Sequence, residues 1–372
     1  MSSTQVPPYG RSPLCAVQVL GGGSAGSSAH VRSITGGLVE RGVHVTVCAP
    51  AELERTYGFS EAGARFVPVP RRGDPASVAT LRAACLRADI VHAHGLNAAV
   101  RTSLALSGLR RPLVVTWHTR PHTEGARSRL LRLMERRAAR AAAVVLGTSS
   151  ELVDRARSRG ARDARLAPVA VPAPRVTEGG PESKARAELG AVDRPLVMAV
   201  GSLVAHHGFG TLLDAARVWQ HLDPVPLLVI VGEGVERAAL QSRIAADALA
   251  VRLIGSREDV TELLAAADVA VLSSRWEARS LLAQEALRLG VPLVATAVGG
   301  VPELVGDAAE LVPYGDPEAL AARVTALLAD PVRRAELAAA GLAQAENWPT
   351  EDETVAQVLS VYDELTESAD AH

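Results

Sequence analysis

Short apolar runs alternate with longer amphipathic segments along most of the chain. The first run, CAVQVL, is followed by a glycine-rich loop, GGGSAGSSA, and by a helical pattern that stops near Gly42. Strands of this length separated by helices predict parallel βαβ units. Four further runs predict strands of the same sheet: VHVTVC, DIVHAH, PLVVTWH and AAVVLGTS.

The alternation of apolar runs and helical segments stops near residues 168–195, where PVAVPAPRVTEGGPES has the composition of a linker. The alternation then resumes. The later runs that predict strands are PLVMAVGS, PLLVIVGEG, VRLIG, DVAVLSS and VPLVATAVGG. We therefore expect an α/β protein of two Rossmann-like domains with parallel sheets facing an interdomain cleft. Their predicted bounds are residues 14–175 and 176–350, with a helix at about 351–372 packing back on the first domain and a disordered start at 1–13.

Composition narrows the class of protein. The chain has 372 residues, a hydrophobic fraction of 48% and a net charge of -2, as in soluble globular proteins, so no global field favours nucleic acid. The 3 cysteines lack CxxC spacing and indicate reduced thiols. No stretch approaches the roughly 20 apolar residues that span a bilayer. We expect a cytoplasmic protein without a nucleic-acid partner.

Two acidic residues mark a candidate site in SSRWEARSLLAQEALRLGVP. Glu277 follows a predicted strand, whereas Glu285 lies in a helix that Ser280 is suited to cap. Eight helical residues span roughly 12 Å, which exceeds the roughly 5 Å between the carboxylates of a retaining hydrolase. The two side chains therefore suit separate hydroxyls of one extended ligand. The amides of Leu281 and Leu282 would face its phosphates, as in a nucleotide sugar.

The other candidate residues give weaker indications. Gly22 and Gly23 would let a backbone approach phosphate, but a nicotinamide-binding fold also needs an acid after its second strand, where only Glu52 is near. His92 and His94 lack a nearby third ligand, so packing and hydrogen bonding are the favoured interpretation. We expect no metal.

The segment DVAVLSSRWEARSLLAQEALRLGVPLVATAVGGVPELV resembles the donor-site signature of retaining glycosyltransferases of family 4, which have the GT-B fold. The resemblance extends over nearly the whole chain, including ADIVHAHG, LVVTWHT, VMAVGSLVAHHGFGTLLDAA and LLVIVGEGVERAAL. It implies transfer of a sugar, with retention, from a UDP- or GDP-sugar to a hydroxyl of a glycan, lipid or small molecule. It implies no cofactor beyond the donor substrate.

The same resemblance implies roles for individual residues. His118 would orient the donor sugar, Glu277 would hold its hydroxyls, and Glu285 would accept from the ribose. The loop at Gly255 would lie beneath the nucleobase. The remaining implied positions are Gly22 and Gly23 at the donor phosphates and the acceptor, the amides at Ser280, Leu281 and Leu282, and the tight turn at Gly299 and Gly300, which also faces the cleft. Glu303 is a lesser candidate.

The chain departs from the family at the diphosphate. Ser202 stands where the family has an arginine and His207 where it has a lysine. A protonated His206 or His207, or Arg279 with Arg275 as a second choice, would restore positive charge. If none does, the protein binds sugar nucleotide or glycan without turnover. A sugar-nucleotide epimerase is a further alternative.

The segment 126–145 predicts a basic amphipathic helix. Such a helix either packs on the sheet as an ordinary surface element or lies on an anionic membrane. If the acceptor is a lipid, this helix is the expected docking element at the inner membrane face.

Overall fold

The computed structural model describes residues 13–22, 25–71, 74–120, 126–170 and 182–370. Gly23 and nearly all of the start that we expect to be disordered lie outside these ranges. Contacts divide the chain into two compact units. Unit 1 comprises Met1–Ala170 and Pro349–His372, and unit 2 comprises Val171–Trp348.

Unit 1 is built on a parallel sheet in the order β3-β2-β1-β4-β5-β6-β7. The order reverses direction between β1 and β4, which pair with each other. In open α/β sheets such a reversal opens a crevice at the carboxyl ends of the strands, where ligands bind. The strands are β1 (Cys15–Leu20), β2 (His44–Ala49), β3 (Arg65–Pro68), β4 (Ile90–His94), β5 (Leu113–Trp117), β6 (Val144–Gly147) and β7 (Ala164–Leu166).

Helices connect these strands and bury apolar side chains on the sheet, which form one hydrophobic cluster. They are α1 (Ala25–Glu40), α2 (Ala51–Tyr57), α3 (Pro75–Cys85), α4 (Leu96–Ala105), α5 (Ala126–Ala141) and α6 (Ser150–Ser158).

Unit 2 repeats this plan with a parallel sheet in the order β10-β9-β8-β11-β12-β13. Its reversal lies between β8 and β11. The strands are β8 (Leu196–Val200), β9 (Leu227–Val231), β10 (Val251–Leu253), β11 (Val269–Leu272), β12 (Leu293–Thr296) and β13 (Glu310–Val312). The helices are α7 (Glu182–Leu189), α8 (Phe209–Trp219), α9 (Arg237–Ala246), α10 (Val260–Ala265), α11 (Leu281–Arg288), α12 (Val301–Val305), α13 (Pro317–Ala329) and α14 (Pro331–Glu346).

The parallel sheets confirm the predicted α/β class, and every strand that an apolar run predicts is present. The sequence did not predict β3, β7 and β13, because they are edge strands of three or four residues in which few positions are fully buried. Among the described helices, none has both the length and the apolarity that crossing a bilayer requires.

The last helix, α15 (Glu351–Asp370), belongs to unit 1. It buries Val355, Val358 and Tyr362 in the core of that unit. The Tyr362 hydroxyl accepts a hydrogen bond from Gln18 Nε2 at 2.7 Å and lies 2.7 Å from His92 Nδ1. A helix from the end of the chain thus contributes a polar group to the middle of the first sheet.

We expect Tyr362→Phe to destabilise the protein by about 1–3 kcal/mol, because it leaves buried polar groups of Gln18 and His92 without a partner. Urea unfolding measures the change. Tyr314, which is 42% exposed, provides the matched control. Equal stabilities of Tyr362→Phe and Tyr314→Phe would contradict a structural role for the buried hydroxyl.

Candidate active site

Glu277 lies in the loop after β11, at the reversal of the second sheet. It is mostly buried, and its Oε1 accepts a hydrogen bond from Ser274 Oγ at 2.9 Å. Burial raises the pKa of Glu277 to about 6, whereas the hydrogen bond from Ser274 opposes this shift. The carboxylate is thus held in a partly desolvated position, where hydrogen bonds from a ligand would favour its charged form.

The glycine turn after β12 fixes the backbone of this loop. Gly300 N donates to the carbonyl oxygen of Glu277 at 2.9 Å. Gly299 has a φ of 55°, and a Cβ added there would overlap the same oxygen. Glycine is therefore required at Gly299 both by its backbone angle and by the close approach of the two loops.

Helix α11 begins directly after this loop. Ser280 caps it, as predicted, by accepting a bond from Ala283 N at 3.3 Å. Leu282 is buried in the core, whereas Leu281 is partly exposed. Glu285 lies in the second turn. Burial raises the pKa of Glu285 above its usual value, and the smaller effect of Arg288 opposes this shift. The structure thus places Glu277 before the amino end of α11 and Glu285 within the helix, as the sequence predicts.

The loop after β8 lies beside the loop after β11. The carbonyl oxygen of His207 accepts from Ser273 Oγ at 2.8 Å, and that of His206 accepts from Arg275 N at 2.7 Å. Ser202 is exposed at the start of the loop. The pKa of His207 is lowered to about 4 by burial and by His206. The imidazole of His207 is therefore neutral at pH 7, and its place at the position of a family lysine stays a prediction.

Arg279 packs inside unit 2. Its guanidinium carbon lies 5.8 Å from the centre of the Trp348 ring, and Arg288 from the last turn of α11 contacts the same ring at 5.5 Å. Its Nε and Nη2 are buried without a hydrogen-bond partner in the described structure. Burial lowers the pKa of Arg279 to about 10. Its role as a replacement cation stays a prediction.

Gly255 follows β10 at the edge of the second sheet. It is buried with a φ of 79°, and its carbonyl oxygen accepts from Gly232 N at 2.8 Å. Its placement beneath a nucleobase stays a prediction.

His118 follows β5 in unit 1 and joins a row of buried polar side chains. His94 Nδ1 lies 3.3 Å from His118 Nε2, and His94 Nε2 lies 2.8 Å from Gln18 Oε1. Because Gln18 presents its oxygen, His94 carries its hydrogen on Nε2. Burial, with smaller contributions from His30 and His92, lowers the pKa of His118 well below its usual value. The ring of His118 is therefore a neutral hydrogen-bonding group at pH 7.

Sequence reasoning missed His30, which lies on the buried face of α1. Its ring centre is 5.4 Å from that of His118 and 5.9 Å from that of His94. One nitrogen from each of these three rings lies within 4.8 Å of the others, so the cluster is the group of described residues that could hold a transition metal. The expected absence of a metal stays a prediction. Only the helical spacing of α1 could have placed His30 against the sheet.

Comparisons with known proteins extend over both units. A family model described as glycosyl transferases group 1 matches residues 182–344, and one described as a glycosyl transferase 4-like domain matches residues 25–172. A D-inositol 3-phosphate glycosyltransferase of Geodermatophilus obscurus is 31% identical over 395 residues, covering 92% of this chain and 86% of that protein.

Two further similarities are shorter or more distant. A GDP-mannose-dependent monoacylated alpha-(1-6)-phosphatidylinositol monomannoside mannosyltransferase of Corynebacterium glutamicum is 34% identical over 209 residues, or 52% of this chain and 55% of that protein. HepE of Anabaena, solved in complex with UDP and glucose, has a TM-score of 0.82 at 21% identity and covers 95% of this chain and 100% of its own. The similarity to HepE is one of fold.

We expect Gly299→Ala to destabilise unit 2 and to displace Glu277, because the added methyl group overlaps the Glu277 carbonyl oxygen. Gly315→Ala is the control, since Gly315 also has a positive φ of 78° but no atom near an added Cβ. Urea unfolding should show a larger loss for Gly299→Ala. Similar losses for both variants would indicate that only the backbone angle matters.

The pKa of Glu277 predicts a pH-dependent gain in stability from Glu277→Gln. The native carboxyl titrates at about 6 and the unfolded one at 4.5, so the native state is penalised as pH rises through this window. Above pH 6 we expect Glu277→Gln to be about 2 kcal/mol more stable than the unmodified protein, with the difference vanishing below pH 4.5. Urea unfolding across this pH range, with exposed Glu318→Gln as control, measures it. A gain independent of pH would refute the assignment.

Proposed function

The chain belongs to the group 1 glycosyltransferases, the family 4 enzymes of GT-B fold, and on this premise we propose that it transfers a sugar from a nucleoside diphosphate sugar to a hydroxyl group with retention of configuration. Membership of the family makes it a glycosyltransferase. The donor, the stereochemistry and the acceptor are the proposed parts.

The observation that carries the proposal is the arrangement around α11. Glu277, the amides after Ser280 and Glu285 follow one another at the reversal of the second sheet, where doubly wound folds bind nucleotides. In the proposal, Glu277 accepts hydrogen bonds from hydroxyl groups of the sugar, and Glu285 accepts hydrogen bonds from hydroxyl groups of the ribose. The amino end of α11 faces the diphosphate, because unpaired amides and the helix dipole favour negative charge.

Two similar proteins support the donor class. The corynebacterial mannosyltransferase is named as dependent on GDP-mannose, and HepE was solved with UDP and glucose. We therefore propose that this chain uses a UDP- or GDP-sugar.

In the proposal, Ser202 and His207 stand where the family has an arginine and a lysine. The leaving diphosphate must therefore be stabilised by other groups. Protonating His207 at pH 7 from a pKa of about 4 would consume about 4 kcal/mol of binding energy. That is as large as the roughly 3–4 kcal/mol that one preorganised donor contributes to a barrier. We therefore propose that His207 acts as a neutral hydrogen-bond donor and that the α11 amides carry most of the stabilisation.

The reaction needs no enzyme nucleophile in this proposal. The leaving phosphate accepts the proton of the incoming hydroxyl on the same face of the sugar. Neutral His118 orients the donor sugar beside the developing positive charge. Positioning of this kind lowers the barrier because the reacting groups no longer lose their orientational freedom in the transition state.

Helix α5 is the element that we propose for contact with an acceptor in a membrane. Its Leu130 and Leu133 are each 59% exposed, and exposed arginines flank them. The opposite face packs on unit 1 through Ala138 and Ala139. The helix is thus an ordinary surface element on one face and an amphipathic docking candidate on the other. We propose a cytoplasmic enzyme that meets a lipid acceptor through α5.

Release of free nucleotide from a panel of UDP- and GDP-sugars tests the function. We expect release with at least one donor in the presence of acceptor. Glu277→Ala should abolish it while the far-ultraviolet circular dichroism spectrum stays unchanged, and Glu318→Ala, at an exposed position, should retain it. Turnover of Glu277→Ala near that of the unmodified protein would refute the role of Glu277.

The same panel separates the alternatives. Calorimetric binding of UDP or GDP without turnover of any donor would favour a binding protein. Conversion of a donor sugar without an acceptor would favour an epimerase. Neither outcome is compatible with the proposed transfer.

A further inference from the structure

Three histidines of unit 1 lie together although they come from three different elements. His30 lies on α1, His94 is the last residue of β4, and His118 directly follows β5. Their ring centres are 5.4–5.9 Å apart, and one nitrogen of each ring lies within 4.8 Å of the others. His30 and His94 are each only 5% exposed, so this histidine cluster is largely shielded from bulk water.

The hydrogen bonds of His94 leave one of its nitrogens free to act as a ligand. Gln18 Oε1 accepts from His94 Nε2 at 2.8 Å, so His94 Nδ1 carries no hydrogen. This nitrogen lies 3.3 Å from His118 Nε2, which supplies the hydrogen between the two rings. If that hydrogen moves to Nδ1 of His118, both facing nitrogens present lone pairs. Metal-bound histidines commonly donate their other ring N–H to an oxygen atom, as His94 does to Gln18.

The neighbouring His92 has a different role. Its Nδ1 lies 2.7 Å from the Tyr362 hydroxyl, and its Nε2 lies 2.6 Å from Thr116 Oγ1. Both ring nitrogens are therefore engaged within the core. The ring of His92 stacks on that of His94, with centres 4.2 Å apart. His92 thus supports the position of His94 and is not itself a candidate ligand.

The distances within the histidine cluster suit a small transition metal ion. Ligands at Zn–N bond lengths of about 2.0 Å in a tetrahedron are about 3.3 Å apart, which is the separation of His94 Nδ1 and His118 Nε2. The nitrogen of His30 must shift by no more than about 1.5 Å, because all three lie within 4.8 Å. Imidazole nitrogens suit Zn, Co, Ni and Cu ions, whereas Mg²⁺ and Ca²⁺ require oxygen ligands.

We propose that His30, His94 and His118 bind one transition metal ion such as Zn²⁺ and that the bound ion inhibits sugar transfer. The ring of His118 is only partly buried, which gives an ion access to the cluster. Inhibition rests on the proposed function, because a His118 nitrogen bound to an ion no longer orients the donor sugar. The ion is an inhibitor and not a cofactor, so the proposed transfer itself still needs no metal.

Isothermal titration calorimetry with Zn²⁺, on the full chain without an affinity tag, tests the binding. We expect one ion per chain and no binding of Mg²⁺. Loss of an outer partner of a metal ligand costs about 10- to 100-fold in affinity, so His30→Gln and His94→Gln should each weaken binding at least about tenfold. His44→Gln, at an exposed position, should leave it unchanged. Absence of binding, or equal affinity in all of these variants, would overturn the site.

Visible absorption during titration with Co²⁺ identifies the ligand atoms. We expect the d–d bands of a four-coordinate ion without thiolate-to-metal charge transfer, and His30→Gln should lose the bands. Charge-transfer absorption would place the ion on a cysteine, namely Cys15, Cys48 or Cys85, and would contradict the histidine site. If far-ultraviolet circular dichroism shows that His30→Gln does not fold, His118→Gln provides the same test at a less buried position.

Nucleotide release from the donor, measured with and without Zn²⁺, tests inhibition. Zn²⁺ should lower the release by the unmodified protein, and a chelator should restore it. His30→Gln should lose a smaller fraction of its own activity at the same Zn²⁺ and donor concentrations. Because both proteins meet the same donor, chelation of Zn²⁺ by the donor diphosphate affects them equally.

Binding of Zn²⁺ without inhibition, or equal fractional inhibition of His30→Gln, would refute the inhibitory role. The calorimetric and Co²⁺ titrations need neither donor nor turnover. Failure of the metal site is therefore distinguishable from failure of the proposed transfer.

Discussion

Backbone contact between neighbouring loops of unit 2 holds the loop that carries Glu277 in place. Gly299 lies against the carbonyl oxygen of Glu277, and Gly208 lies against that of Ser273, each closer than any Cβ would allow. Hydrogen bonds from Gly300 and Arg275 join the same loops. Glu277 is therefore positioned mainly by main-chain geometry, which is stiffer than a side chain held by other side chains. The preorganised charge that the proposed chemistry needs follows from this packing.

Much of this arrangement could be predicted because it is local or periodic. The buried strands are short apolar runs, and Ser280 caps α11 through a residue three positions away. The edge strands β3, β7 and β13 could not be recognised, since they lack such a run. The contact of Arg279 with Trp348 and the position of His30 beside His118 depend on packing between distant segments. Helical spacing could have placed His30 against the sheet, but no local signal in the sequence pairs it with His118 or pairs Arg279 with Trp348.

Buried arginines occur in both units, but with different surroundings. Arg279 lies on an aromatic ring, which partly compensates its charge. Arg101 donates to the carbonyl oxygen of Pro70, and its Nε and Nη2 are buried without a hydrogen-bond partner in the described part of the chain. A guanidinium cannot give up its charge as an imidazole does, so burial neutralises His207 and His118 but leaves Arg101 charged.

The placement of α15 has a consequence for the order of events during translation. Unit 1 is made of two stretches of chain with the whole of unit 2 between them. Domains generally fold as units while the ribosome extends the chain, so unit 2 can finish folding first. Unit 1 must wait for α15, because Tyr362 supplies the hydroxyl between Gln18 and His92. A nascent chain that lacks α15 thus has all seven strands of the first sheet but not the helix that completes its core.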